Sequence, residues 1–194
     1  MTLLSLNNTN TFQPEIHHRV NNLLQMVQSI LNIEENRNNS NPLQALHETR
    51  NKIEVLSVLY TLLSKRINSD QADISDLVKN FLILQTKEET VPQKLKLQFD
   101  SCFMNQDVLM PFGLFLSEFI CLWKQNETKN NSISIDGKLN HEKYSVTITT
   151  SEKITKLIKN NRLLSGLAKQ MHAKLKIESA GNCLVLDIKT SQKG

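Results

Sequence analysis

Two adjacent histidines, His17 and His18, stand near the start of the segment EIHHRVNNLLQMVQSIL, residues 15–31. An ordinary imidazole titrates near neutrality, and its neutral form can attack a phosphoryl group. Zinc ligation fits poorly. A zinc site needs three or four ligands, and paired ligands on a helix are spaced i, i+4 rather than side by side. The remaining possibilities are a core position, a solvated position, and a nucleophile reached from outside.

Helix geometry narrows these. Each residue turns an α-helix by about 100°. With Ile16 at zero, Val20, Leu23, Leu24, Val27, Ile30 and Leu31 fall within an arc of roughly 120° centred near 20°. His18 falls at about 200°, opposite the stripe, so it should face solvent. His17 lies on the flank, about a quarter-turn from the stripe's centre. Arg19 lies near the other edge, while Asn22 and Gln25 share the outer face. Geometry alone leaves His17 and His18 as either solvated residues or groups a docked partner can reach.

The elements that would position them follow from pattern and punctuation. Pro14 and Glu15 suit a first helical turn. A helix is expected to about Glu35, a break at ENRNNSNP, and a second helix from Pro42 to about Ile67, forming an αα-hairpin. NSDQAD is a second break, followed by a helix from about Ile74 to Gln85. KLKLQF (94–99) alternates like a strand, and MPFGLFLSEFICLWKQ reads as a buried helix. SISIDG and YSVTITT read as a strand pair. EKITKLIKNNRLLSGLAKQM reads as one helix, and KLKIES–AGN–CLVLDIK as a closing hairpin. The second half is thus α+β, a mixed sheet with helices on one face.

Composition excludes several classes. Lysine and arginine number 23 against 19 acids, a mild excess with no basic run, which suits an acidic partner surface but not a nucleic-acid tail. Cys102, Cys121 and Cys183 are dispersed and odd in number, as expected of reduced thiols in a cytoplasmic protein. MTLLSLNNTNTF lacks the features of a signal peptide, no transmembrane run is expected, and no sensor region is expected ahead of residue 13. His47 reads as helix surface or bundle interface, His141 as a turn residue, His172 as a structural helix-to-strand junction, and Trp123 as core.

HHRVNNLLQ resembles the H-box HHRVKNNLQ of bacterial sensor histidine kinases. The likeness continues through ALHETRNKIEVLSVLYTLL and DISDLVKNFL. In that family the histidine directly before the arginine takes the phosphoryl group. The resemblance therefore implies that His18 is the phosphoacceptor and that Arg19 stabilises phosphoryl charge. Asn22 matches the family asparagine, and Asn21 replaces the family lysine. With His17 and Gln25, Asn22 would face the partner.

The second half resembles the kinase ATP-binding domain in outline. DVLMPFGLFLSEFICLWKQ lines up with the helix that carries the N-box. Ser117 and Leu122 stand where its two asparagines belong. SEKITKLIKN replaces the Asp-x-Gly-x-Gly loop. NNRLLSGLAKQM keeps a single glycine, Gly166, where the family has a Gly-rich lid. A glycine loop brings backbone N–H groups close to phosphates, and side chains obstruct that approach.

Together these features are similar to the kinase-like histidine phosphotransferases. The implied protein is α+β: a flexible N-terminus (1–12), a helical hairpin forming a dimeric four-helix bundle (13–70), and a degenerate ATPase-like α/β sandwich (71–194). It would be a cytoplasmic homodimer passing phosphoryl groups between response-regulator receiver domains. It would use no metal or cofactor of its own, Mg²⁺ coming from the receiver, and neither nucleic acid nor membrane. The competing expectations are a non-catalytic pseudokinase that sequesters a receiver or a kinase, and an active kinase with an unusual nucleotide site.

Overall fold

The break ENRNNSNP ends one helix and starts the next because Asn41 and Pro42 suit a helix start. In the structure, a computed structural model, α1 spans Phe12–Asn36 and α2 spans Pro42–Ser64. The structure describes residues 12–36, 41–64, 71–87, 95–126, 132–178 and 181–190, without the side chains at 12–19, 22, 36, 84–87 and 152. Asn41 caps α2: its Oδ1 accepts the Gln44 N–H at 3.3 Å, and its carbonyl oxygen accepts the Ala45 N–H at 3.2 Å. The expected extension of α2 to Ile67 falls outside the described residues beyond Ser64.

By its contacts the chain divides between Ile53 and Glu54, inside α2. In the first unit, Lys52 of α2 donates to Glu34 of α1 in a buried ion pair. Gln44 donates to the buried Glu48 at 3.1 Å.

The second unit begins with the C-terminal part of α2, whose Val55, Leu56, Leu59 and Leu63 are buried. The Val55 Cγ1 lies 2.8 Å from where a Cβ at Gly113 would sit, so a side chain at 113 would push Val55 aside. Gly113 belongs to α4 (Gln106–Asn126), the central helix of this unit, which contacts α3 (Ile74–Lys87). By length and hydropathy α4 could cross a membrane, but 67% of that stretch is buried within the protein, as in a core helix.

Seven strands among the described residues belong to the unit. β1 (Gln71–Asp73) pairs antiparallel with β3 (Phe103–Asn105), a small ladder absent from the sequence expectation. Three-residue strands are too short to show a period of two. The main sheet runs β2 (Leu95–Phe99), β4 (Ile133–Asn140), β5 (Lys143–Thr149), β7 (Cys183–Lys189), β6 (Lys174–Ile177), with β2–β4 parallel and the other pairs antiparallel. Ile133, Ile135, Tyr144, Val146, Ile148, Leu184, Leu186 and Ile188 bury one face; hydroxyl and charged side chains alternate onto the other.

The expected single helix over 152–171 is two helices, α5 (Glu152–Asn160) and α6 (Arg162–Gln170). Asn161 breaks the run: its backbone is extended (φ −81°, ψ 111°), and its Oδ1 accepts the Leu164 N–H at 3.0 Å. Asparagine competes with helix continuation by bonding to nearby backbone in this way. At the far end of α6, His172 adopts φ 52°. Its N–H reaches Lys169 O and the Ala173 N–H reaches Ala168 O, the left-handed closing pattern that favours glycine. His172 is thus structural, as is His141 (φ 50°) in the turn between β4 and β5.

Candidate functional site

The backbone of α1 is helical through positions 17–19 and 22, so the expected phosphoacceptor region sits on a continuous helix. The side chains of His17, His18, Arg19 and Asn22 lie outside the described part. Gln25 is exposed, and its carbonyl oxygen accepts the Ser29 hydroxyl at 2.9 Å.

The apolar stripe behind these residues is split. Ile30 is buried and Leu23 and Val27 are half-buried, but Val20, Leu24 and Leu31 are exposed, Leu24 by 54%. On α2, Leu43, Leu46, Ile53 and Tyr60 are also exposed, at spacings of three or seven residues. Leu43 and Leu46, at 79% and 67%, are more exposed than an isolated soluble helix face would favour. Four of the hairpin's buried side chains are polar instead: Glu34, Glu48, Thr49 and Lys52.

The second set of candidate positions lies on α4. Ser117 is 5% exposed and Leu122 half-buried. Next to Ser117, Glu118 is 1% exposed and accepts the Asn161 side-chain amide at 3.3 Å. Lys153 of α5 donates to the carbonyl oxygen of Asn126, the last residue of α4, at 3.1 Å. Both helices that follow β5 are therefore tied to α4, and Ile154, Ile158 and Leu164 are fully buried. Ile154 and Thr155 turn their N–H groups back to Ser151 O at the start of α5.

Sequence reasoning missed Glu118 and Asn161. The signal for Glu118 is a lone acid in a long apolar run. That for Asn161 is an asparagine pair directly before RLLSG. Trp123 is buried as expected, and its indole Nε1 has no hydrogen-bond partner among the described residues. His47 is exposed on α2, its Nδ1 3.3 Å from Asn51 Nδ2. Among the described residues no group of three or more His, Cys, Asp or Glu could hold a metal ion.

Residues 15–86 match the family model described as "Histidine kinase". The fold is similar to the histidine kinase domain of the Erythrobacter litoralis EL346 blue-light activated histidine kinase (TM-score 0.62, 11% identity, 89% of this chain and 96% of that one). It is also similar to a longer chain of that kinase (TM-score 0.68, 16% identity, 99% of this chain), of which it spans 63%. No curated protein matches the chain by sequence.

Proposed function

We propose that this protein is a histidine phosphotransferase that relays phosphoryl groups through His18 without binding ATP. The observation that carries the reading is the tie between Asn161 and Glu118. Where the kinase pattern has a glycine loop and lid around the N-box helix, two side-chain-bearing helices are fastened to α4, one beside Ser117 through Asn161 and one at its last residue through Lys153. Such a surface lacks the glycines that let a backbone come close to nucleotide phosphates.

The chemistry left to the chain is transfer. The neutral imidazole of His18 attacks the phosphorus of a receiver aspartyl phosphate. A P–N bond forms, the P–O bond to the aspartate breaks, and the carboxylate leaves with its electron pair. The second transfer reverses these roles onto another receiver. Arg19 would offset phosphoryl charge, and His17, Asn22 and Gln25 would line the docking face. Mg²⁺ would come with the receiver's acidic pocket and neutralise charge on the transferring group.

The reading also takes the protein as a cytoplasmic homodimer whose bundle unit extends over residues 13–70 and whose degenerate ATPase-like unit covers 71–194. Pairing two hairpins would cover the exposed Leu24, Leu31, Leu43 and Leu46.

The test is incubation with a phosphorylated receiver domain, followed by assay for acid-labile label. Label is expected on the wild type and on His17→Ala, at least in part, but not on His18→Ala. Label surviving the double replacement would refute transfer and favour a regulator that sequesters its partner. Magnesium-dependent ATP binding in calorimetry would revive kinase activity instead.

A further inference from the structure

The fold gathers the charge imbalance that looks dispersed along the chain. Residues 152–170 hold five of the 23 basic side chains, Lys153, Lys156, Lys159, Arg162 and Lys169, and one of the 19 acids, Glu152. That leaves 18 of each sign elsewhere, so the whole formal excess of four lies on α5 and α6. All five cations are exposed, while Ile154, Ile158, Leu164, Leu167 and Ala168 are buried beneath them.

Two of the five sit where helix electrostatics disfavours them. Lys159 and Lys169 are in last turns, where a cation complements the helix dipole. Arg162, however, is the first residue of α6, and Lys153 is the second of α5. Cations there oppose the positive helix end. Lys153 is offset by its bond to the Asn126 carbonyl oxygen, whereas Arg162 has no such bond among the described residues. Leu157 adds an apolar point to the same face: it is 36% exposed, one helical turn from Lys153.

We propose that the outer surface of α5–α6 docks an acidic protein surface that carries an apolar spot opposite Leu157. Charge complementarity selects the partner's sign. A lipid surface fits less well, because membrane-lying helices insert their apolar face, and here Ile154, Ile158 and Leu164 are already fully buried in the protein. Single-stranded nucleic acid fits less well too, since no aromatic residue lies between 152 and 170 for bases to stack on. A small, charged face of this kind speeds encounter and gives a transient complex. The inference does not depend on phosphotransfer at His18.

The test is NMR titration of the full chain, at one ionic strength, with three probes: a glutamate–tyrosine copolymer, phosphatidylserine-containing vesicles and a short DNA duplex. The copolymer should shift the amides of α5 and α6. The triple change Lys153→Gln, Lys156→Gln, Arg162→Gln should weaken that binding by about tenfold, each exposed charge contributing a few-fold. Leu157→Ala should also weaken it, and His18→Ala should leave it unchanged. Shifts confined to other elements, or a triple variant that binds like wild type, would overturn the proposal. So would tighter binding of this segment to vesicles or duplex than to the copolymer.

Discussion

Asn161 holds two elements at once: its Oδ1 caps α6 at Leu164, and its Nδ2 donates to the buried carboxylate of Glu118 on α4. One side chain therefore sets both where α5 stops and where α6 docks.

Replacing Asn161 with alanine removes the cap and one donor to a buried carboxylate. A lost cap costs about 1 kcal/mol, and leaving a buried carboxyl oxygen without its donor adds about 1–3 kcal/mol. The urea midpoint should fall accordingly. Asn161→Ala unfolding at the wild-type midpoint would mean that the contact carries no stability.

The Glu34–Lys52 pair is buried on both sides, with side-chain exposures of 5% and 4%. Removing one partner leaves the other charge in a dry site. Lys52→Met should therefore destabilise by about 3–5 kcal/mol. The double change Glu34→Leu, Lys52→Met removes both charges and should recover most of that loss. A double-mutant cycle with no coupling would contradict this.

Asp187 is nearly buried on β7 and meets Lys143 at 2.7 Å, Ser145 at 3.0 Å and Lys176 at 3.3 Å. Burial raises its pKa, but these hydrogen bonds and charges outweigh it and hold the carboxyl below its ordinary value of 3.8. Asp73 behaves likewise: burial is outweighed by bonds from Ser101, Ser75 and Cys102. A depressed folded-state pKa gives stability that is present above the unfolded value and lost as pH falls through the folded one. Stability should thus fall below about pH 4. Asp187→Asn should flatten that fall while lowering stability at neutral pH. An unchanged acid limb would show that Asp187 is uncoupled from folding.

The exposed apolar positions Leu24 and Leu46 should be covered by a second chain. Leu24→Glu with Leu46→Glu should give a monomer in light scattering where the wild type gives a dimer, because both changes bury like charges in the bundle seam. A wild-type monomer at micromolar concentration would remove the bundle altogether.

Much of this was legible in the sequence. The 3.6-residue period of 16–31, the break at Asn41–Pro42, and the alternation in KLKLQF and YSVTITT mark elements that the structure contains, because local burial patterns follow directly from helix and strand periods. The HHR triplet and the missing glycine loop were also visible there, being statements about residue type. Other features depend on partners distant in the chain. The break at Asn161 is stabilised by Glu118, 43 residues earlier, and Val55 of α2 packs against Gly113 of α4. The β1–β3 ladder joins strands too short to carry a pattern. The basic residues along 153–169 are exposed only because folding turns Ile154, Ile158 and Leu164 inward. Residue type and period set the elements; tertiary packing decided which ones stop, meet and face solvent.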